Sequence, residues 1–328
     1  MKKNIIALDL GATKCAAGLA HYDTETKNLS CSKHSSLKLT DATSLENLIS
    51  QLEKKLDFSF SHADAICVGA AGHYDGKEIY HDRVYPYRMN FYELAKSKKW
   101  PAYDVVHDYV PIVCATFTSY MENPENIKRL NSCAVNPLGR RVALGVGTGL
   151  GLKDGVLLSS GEFWLGKNEM GHIGISIPPS LDKTHRERHD ELIRFLHVHE
   201  PITFEKILSG HGLVRLYQFF YSNKEITPEQ VGIEMREGRA SDVMDAFAWY
   251  LGLLVGTVQL SFMPEGGIWI TGGVALNHLE IFDKSEFFSG IHSSPAYLSQ
   301  REHYPLGVLC NHHHAFLGGA YYAAKRLL

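Results

Sequence analysis

The strongest constraint in this sequence is a pattern that occurs twice: a short apolar run enters a glycine-rich turn and leaves as a second apolar run. Ile5 to Leu8 leads into Asp9-Leu10-Gly11-Ala12-Thr13-Lys14, and Cys15 to Ala20 returns. Val142 to Val146 leads into Gly147-Thr148-Gly149-Leu150-Gly151, and Leu152 to Leu158 returns. Short apolar runs bounded by glycine read as buried strands, so each unit predicts a hairpin. A chain of 328 residues exceeds one typical core, so two α/β lobes are expected. A glycine turn lets backbone N–H groups approach phosphate oxygens with no Cβ in the way. The threonine hydroxyls add hydrogen bonds, and the Asp9 carboxylate can hold a magnesium ion directly or through water. Glycine turns also close many ordinary hairpins, so either turn taken singly fits both readings.

The rest of the chain fits alternating strands and helices. Thr43-Ser44-Leu45-Glu46 has the form of a capping box. Leu45, Leu48, Ile49, Leu52 and Leu56 follow at helical spacing. Ala65 to Gly69 and Tyr103 to His107 read as strands, the second ending on Asp108, with a short helix at Asn90 to Lys98. After the second hairpin come helical segments at 191–199, 204–208, 212–221, 228–237 and 242–263. A strand from Ile268 to Thr271 then meets Gly272-Gly273, Leu306 to Cys310 is the last strand, and a closing helix runs from Ala315 to Leu327. Glu122–Arg129 and Pro178–His189 are polar, Pro-flanked stretches with the least ordered character.

Composition narrows the function classes. A net charge of −3 provides no basic field for nucleic acid. The six cysteines form no C-x-x-C pair, which fits reduced thiols in a cytoplasmic protein, and the Met1-Lys2-Lys3 start leads into a strand-like run, not a signal peptide. Ala246 to Met263 carries no charge and could span a bilayer by length, yet Thr257, Gln259 and Ser261 lie inside it and no Lys or Arg anchors its ends. A helix buried on all sides has the same look, and no membrane is expected as a partner. Gly161 to Lys167 imitates a P-loop, but Asn168 stands where a serine or threonine must touch magnesium. The glycines at 145, 147, 149 and 151 do not fit G-x-G-x-x-G, so a dinucleotide fingerprint is absent.

DLGATK, GVGTGLG and WITGG (Trp269 to Gly273) stand in the order of the two phosphate segments and the adenosine segment of the actin/hexokinase/sugar-kinase superfamily. With NEMGHIGI (Asn168 to Ile175), FEKILSGHGLVRLY (Phe204 to Tyr217) and LGGAYYAAK (Leu317 to Lys325), the chain resembles the bacterial glucokinase family from end to end. It lacks the cysteine-rich zinc motif of the repressor-type sugar kinases. The resemblance implies two actin-like (ribonuclease H-like) ATPase lobes with an interlobe cleft: a small lobe from residues 1–109 completed by helix 314–328, and a large lobe from 110–313. It implies ATP with Mg2+ on Asp9, Gly11, Ala12, Thr13, Gly147, Thr148, Gly149, Gly272 and Gly273. It also implies a hexose held by His107, Asp108, Glu169, His172 and Glu205 and phosphorylated at its 6-hydroxyl, glucose first among the candidates. A homodimer is implied as well.

Asp108 is the implied catalytic base, because a carboxylate that accepts a hydroxyl proton late in phosphoryl transfer contributes roughly 10²–10⁴-fold. Read by itself, a strand-end aspartate also fits a helix cap. Glu205, after Thr203, also fits helix N-terminal charge. Two departures bear on the sugar: His107 replaces the family's asparagine, and Arg83-Val84-Tyr85-Pro86-Tyr87 replaces a Thr-Asn-x-x-Trp-like stretch, with His81 and Asp82 as substitutes nearby. They keep a second hexose, such as mannose or an N-acetylhexosamine, in view, and a non-catalytic sugar sensor remains the alternative of another class. Of the 18 histidines, His185 and His189 read as part of a solvated loop, and His312-His313-His314 as a turn and helix start.

Overall fold

The computed structural model describes residues 1–80, 85–177, 183–197, 201–222, 225–311 and 313–328. The chain divides into two compact units. The first comprises Met1–Asn126, Gly155–Leu165 and Asn311–Leu328, and the second Ile127–Asp154 and Gly166–Cys310.

The first unit opens with a three-stranded meander, β1 (Lys2–Leu10), β2 (Lys14–Asp23) and β3 (Leu29–Lys38). Helix α1 (Leu45–Leu56) follows and buries Leu45, Leu48, Ile49, Leu52 and Leu56, the stripe that helical spacing predicts. Its cap sits one residue later than the sequence suggests. Ser44 accepts from the Asn47 N–H at 3.1 Å, and Asn47 Oδ1 reaches back to the Thr43 N–H at 3.2 Å. Then come β4 (Ala65–Ala70), the small hairpin β5 (His73–Tyr74) and β6 (Ile79–Tyr80), α2 (Phe91–Ser97), β7 (Ala102–His107) and α3 (Tyr109–Ala115). The sheet order is β3-β2-β1-β4-β7, with β1, β4 and β7 parallel and β2 and β3 antiparallel. One face packs Ile6, Leu8, Leu10, Ile66 and Val68 against α1 and α2 residues to form this unit's core.

The stretch read as least ordered contributes β8 (Ile127–Arg129), an edge strand. The second meander is β9 (Arg141–Val146), β10 (Leu150–Leu157) and β11 (Phe163–Leu165). Gly161 lies in the tight turn between β10 and β11, so the P-loop imitation is a hairpin and lacks the strand-to-helix context. Helices α4 (Lys183–Leu196), α5 (Phe204–Ile207), α6 (Gly210–Tyr221), α7 (Pro228–Arg236) and α8 (Ser241–Phe262) precede β12 (Gly267–Thr271). After it come α9 (Gly273–Asn277), α10 (Ser285–His292), α11 (Leu298–Arg301), β13 (Leu306–Leu309) and the closing α12 (His314–Arg326), which packs on β1, β4 and α3. The sheet order is β11-β10-β9-β12-β13-β8. Apart from the edge strand β8, this repeats the order of the first sheet: a meander whose first strand is followed by two parallel neighbours.

Helix α8 is long and apolar enough to cross a membrane, but 83% of its apolar window is buried. Val243, Phe247, Leu251, Leu254 and Val258 lie in the second unit's core, which accounts for the uncharged run. The solvated-loop reading of His185 and His189 is corrected. Both lie on α4, where the His185 ring stacks on Trp249 at 5.4 Å, and the buried His189 Nδ1 is 2.9 Å from Tyr250 Oη. Burial against α8 holds the His189 pKa below its usual value. Residues 178–182 of that polar stretch, and His312 of the triplet, lie outside the described residues.

Candidate active-site residues

In the first unit the turn between β1 and β2 is closed by the Gly11 N–H, which donates to the Lys14 carbonyl at 3.0 Å. Ala12 and Thr13 are exposed at its tip. Asp9, one residue before the end of β1, pairs with Ala16 of β2 and Gly69 of β4. Burial pushes its pKa up to about 6, the negative charge of Asp108 pushes in the same direction, and Lys14 opposes both. Asp9 and Asp108 therefore feel one another electrostatically, although they are far apart in sequence.

Asp108 follows β7 and donates its N–H to the Ala70 carbonyl at 3.1 Å. It occupies the N-cap position of α3 yet makes no side-chain capping bond. Its backbone is already helical (φ −56°, ψ −26°), whereas a capping carboxylate is normally set by an extended residue. The helix-cap alternative is thereby removed, and the carboxylate is left for other chemistry. His107 Nδ1 lies 3.0 Å from Asp108 Oδ1, an ion pair only when the imidazole is protonated. With Nδ1 accepting from the Tyr109 N–H at 3.3 Å, Oδ1 has no hydrogen-bond donor among the described residues.

Tyr85 was not among the sequence candidates. Its hydroxyl donates to the Ala71 carbonyl at 2.7 Å and lies 3.5 Å from the Leu10 carbonyl, bracing the strand ends on which the first turn is built. Only its place in the departing 83–87 stretch drew notice to it. Tyr87 packs against the core of the first unit, its hydroxyl buried without a hydrogen-bond partner among the described residues. His81, Asp82, Arg83 and Val84 lie outside the described residues.

In the second unit the turn Gly147–Gly149 joins β9 to β10, with Gly147 donating its N–H to the Gly149 carbonyl at 2.9 Å. Gly272, between β12 and α9, has φ +100°, and a Cβ there would lie 2.4 Å from the Val146 carbonyl oxygen. An L side chain is strained there on both counts, so glycine lets the chain turn beside the Gly147–Gly149 segment. Gly273 N lies 3.6 Å from where a Cβ on Gly147 would be, so both glycine segments edge one pocket. That pocket has a volume of about 960 Å³ and is walled by Leu213, Ile233, Val274 and Leu276, with Arg236 and His278 among its polar groups. The helical wall from α6 and α7 was not anticipated, since nothing local in those helices marks them as a ligand wall.

Glu169 precedes a single 3-10 turn, Met170–His172, that His172 closes, and both are exposed. Glu205 is on α5, after Thr203, which makes no side-chain cap. His172 Nδ1 is 4.0 Å from Glu205 Oε1, so these two sequence candidates meet. The supporting contacts are also in place. Asn168 Nδ2 donates to the buried Asp154 carboxylate at 3.2 Å, tethering the start of the Glu169–His172 loop.

Duplicated sheets with glycine turns at strand ends, and carboxylates beside them, have the design of a sugar kinase with the actin-like ATPase fold. Comparison with solved structures agrees on the fold. A glucokinase from an Antarctic psychrotroph gives a TM-score of 0.82 at 16% identity, covering 98% of this chain and 99% of that one. A ROK family glucokinase from Streptomyces griseus, in complex with glucose and AMPPNP, gives 0.61 at 16% identity, with 98% and 99% covered. A glucokinase of Saccharophagus degradans is 26% identical over 268 residues, 78% of this chain and 79% of that protein. The chain belongs to the glucokinase family, whose model matches residues 6–326.

Proposed function

We propose that this chain transfers the γ-phosphoryl group of ATP to the 6-hydroxyl of glucose, giving glucose 6-phosphate and ADP. The observation that carries the reading is the Asp108 carboxylate: it stands at a strand end, at a helix start it does not cap, and electrostatically coupled to Asp9 of the first glycine turn. The sugar oxygen attacks the γ-phosphorus, the bond from that phosphorus to the β–γ bridging oxygen breaks, and Asp108 accepts the hydroxyl proton. Such a base contributes roughly 10²–10⁴-fold. Glu169, His172 and Glu205 fix the hexose, since carboxylates accept from hydroxyls and imidazole can do either. The backbone N–H groups of Gly11–Thr13 and Gly147–Gly149 receive phosphate oxygens, and the pocket beside Gly272-Gly273 takes the nucleoside.

Magnesium fits this donor set. Asp9 is a carboxylate held toward its neutral form by burial and by a like charge, which a divalent cation would relieve. Among the described residues no group of three or more His, Cys, Asp or Glu could hold a metal by itself. The ion would be carried largely by water and phosphate oxygens. When bound, it neutralises charge on the transferring phosphoryl group.

The related glucokinases support glucose as the acceptor, and the Streptomyces griseus complex supports both ligands. A coupled ADP-release assay with glucose, mannose, fructose and N-acetylglucosamine tests the reading. Glucose is expected to have the highest kcat/KM, and background turnover with glucose beside robust turnover with another hexose would overturn it. His107, set against Asp108 in place of the family's asparagine, is the observation that favours a different hexose. Tight binding of ATP and sugar with no product would instead mark a sensor. A cytoplasmic homodimer belongs to the same proposal, and sedimentation tests the dimer.

A further inference from the structure

Glu205 belongs to the sugar side of the proposed reaction, yet its carboxylate is bonded to the nucleotide side. Leu150 follows the Gly147–Gly149 turn, and its backbone N–H donates to Glu205 Oε2 at 2.9 Å. Gly149 makes the approach possible, because a Cβ there would lie 2.8 Å from the same oxygen. The other oxygen, Oε1, faces His172 Nδ1 at 4.0 Å.

The segment that carries Glu205 grips the turn a second time. The Gly210 N–H, at the start of α6, donates to the Gly147 carbonyl at 2.9 Å. Between the two grips the segment is braced: Ser209 Oγ donates to the Glu205 carbonyl at 2.8 Å and accepts the Gly212 N–H at 3.1 Å. Both ends of the phosphate turn are thus held by one short stretch of chain, and one of the holds is a side chain placed to meet the sugar.

We propose that Glu205 is a positioning residue that couples the two ligands: sugar bound at Glu205 and His172 fixes the carboxylate, and the carboxylate fixes the Leu150 N–H and the Gly147–Gly149 turn. This rests on the reading of the sugar and phosphate sides given above. The physical reason is ordering. The Glu205 side chain is 34% exposed, with Oε2 on the Leu150 N–H and Oε1 4.0 Å from His172 Nδ1, so the Oε1 end has freedom for a sugar hydroxyl to take up. A hydroxyl bonded to Oε1 removes that freedom once, and the nucleotide then has less ordering to bear. By linkage the nucleotide strengthens sugar binding by the same factor.

The test is isothermal titration of the full chain with AMPPNP and magnesium, with and without saturating glucose, and with glucose alone. Glucose is expected to tighten AMPPNP binding about tenfold in the wild type. In Glu205→Gln, which keeps the shape and loses the charge, the enhancement is expected to shrink to about twofold or less. Gly149→Ala pushes Oε2 aside, and is expected to weaken binding of glucose alone several-fold although residue 149 lies in the phosphate turn. Glucose bound and phosphorylated with wild-type enhancement in Glu205→Gln overturns the coupling and leaves the kinase reading intact. Should Glu205→Gln bind glucose too weakly to saturate, Gly149→Ala decides: an unchanged glucose Kd overturns the coupling, and a raised one supports it. A wild-type chain that takes up no glucose overturns the glucose reading itself, and this coupling with it.

Discussion

The two glycine turns look alike in sequence and differ in how they are held. Gly11–Thr13 is a tight hairpin tip, closed by one backbone bond and exposed at Ala12 and Thr13, with the charged residue Asp9 on the strand before it. Gly147–Gly149 contains no ionisable side chain and is gripped from α5 and α6 by Glu205 and Gly210. The first is a place for charge, with Asp9 coupled to Asp108. The second is a backbone cradle beside a nucleoside-sized pocket. Duplication of a sheet order supplied two equivalent positions, and different neighbours gave them different chemistry.

The contrast is broken most severely at Asp108. Replacement by Asn keeps the shape and removes the carboxylate proposed as the base, so kcat is expected to fall roughly 10²–10⁴-fold with the glucose KM changed far less. Steady-state kinetics at saturating ATP measures both, and near wild-type kcat would sink the assignment.

The next effect belongs to the second turn. Gly272→Ala forces a side chain onto φ +100° with its Cβ 2.4 Å from the Val146 carbonyl. A loss of about 1–3 kcal/mol is expected, seen as a Tm several degrees lower. Gly11→Ala, whose Cβ would meet the Lys14 carbonyl oxygen at an ordinary 3.6 Å, should leave Tm nearly unchanged and raise the KM for ATP. Equal Tm losses in the two variants would erase the proposed distinction.

The smallest effect is one of pH, and it belongs to the first turn alone. The Asp9 pKa is raised in the fold to about 6, above the ordinary 3.8. Between those values the folded chain holds more protons than the unfolded one. Asp9 therefore contributes relative stability that is fully present below about pH 4 and is lost as pH rises through 6. In metal-free protein, the stability of wild type relative to Asp9→Asn should decline across that window. Magnesium-dependent ATP binding should do the opposite, weakening as pH falls below about 6, because the cation needs the ionised carboxylate. A pH-independent difference between the two proteins would remove Asp9 from this role.

Much of this was legible in the residues. The hairpins, the α1 stripe, the buried character of α8 and the strand ending on Asp108 follow from local pattern. Strand β3 is not legible in sequence, because Ser32, Lys33, His34, Ser35 and Ser36 give little apolar alternation along an edge strand. Helix α4 reads partly as loop in sequence because its histidines and arginines look solvated. What holds it is packing of His185 and His189 on Trp249 and Tyr250 of α8. Family resemblance placed Glu205 among the sugar residues, yet nothing in the sequence reveals its bond to the Leu150 N–H.

By itself, then, the sequence determined the two glycine turns, the strands that feed them, and the family. Those depend on backbone freedom and side-chain periodicity, which act over a few residues. Only the tertiary structure decided that Asp108 is not spent as a cap, that Asp9 is pushed toward neutrality, and that the Glu205 carboxylate ties the second turn to His172. Each of these is a relation between atoms brought together by packing or set by the local backbone angle, and no local pattern encodes it.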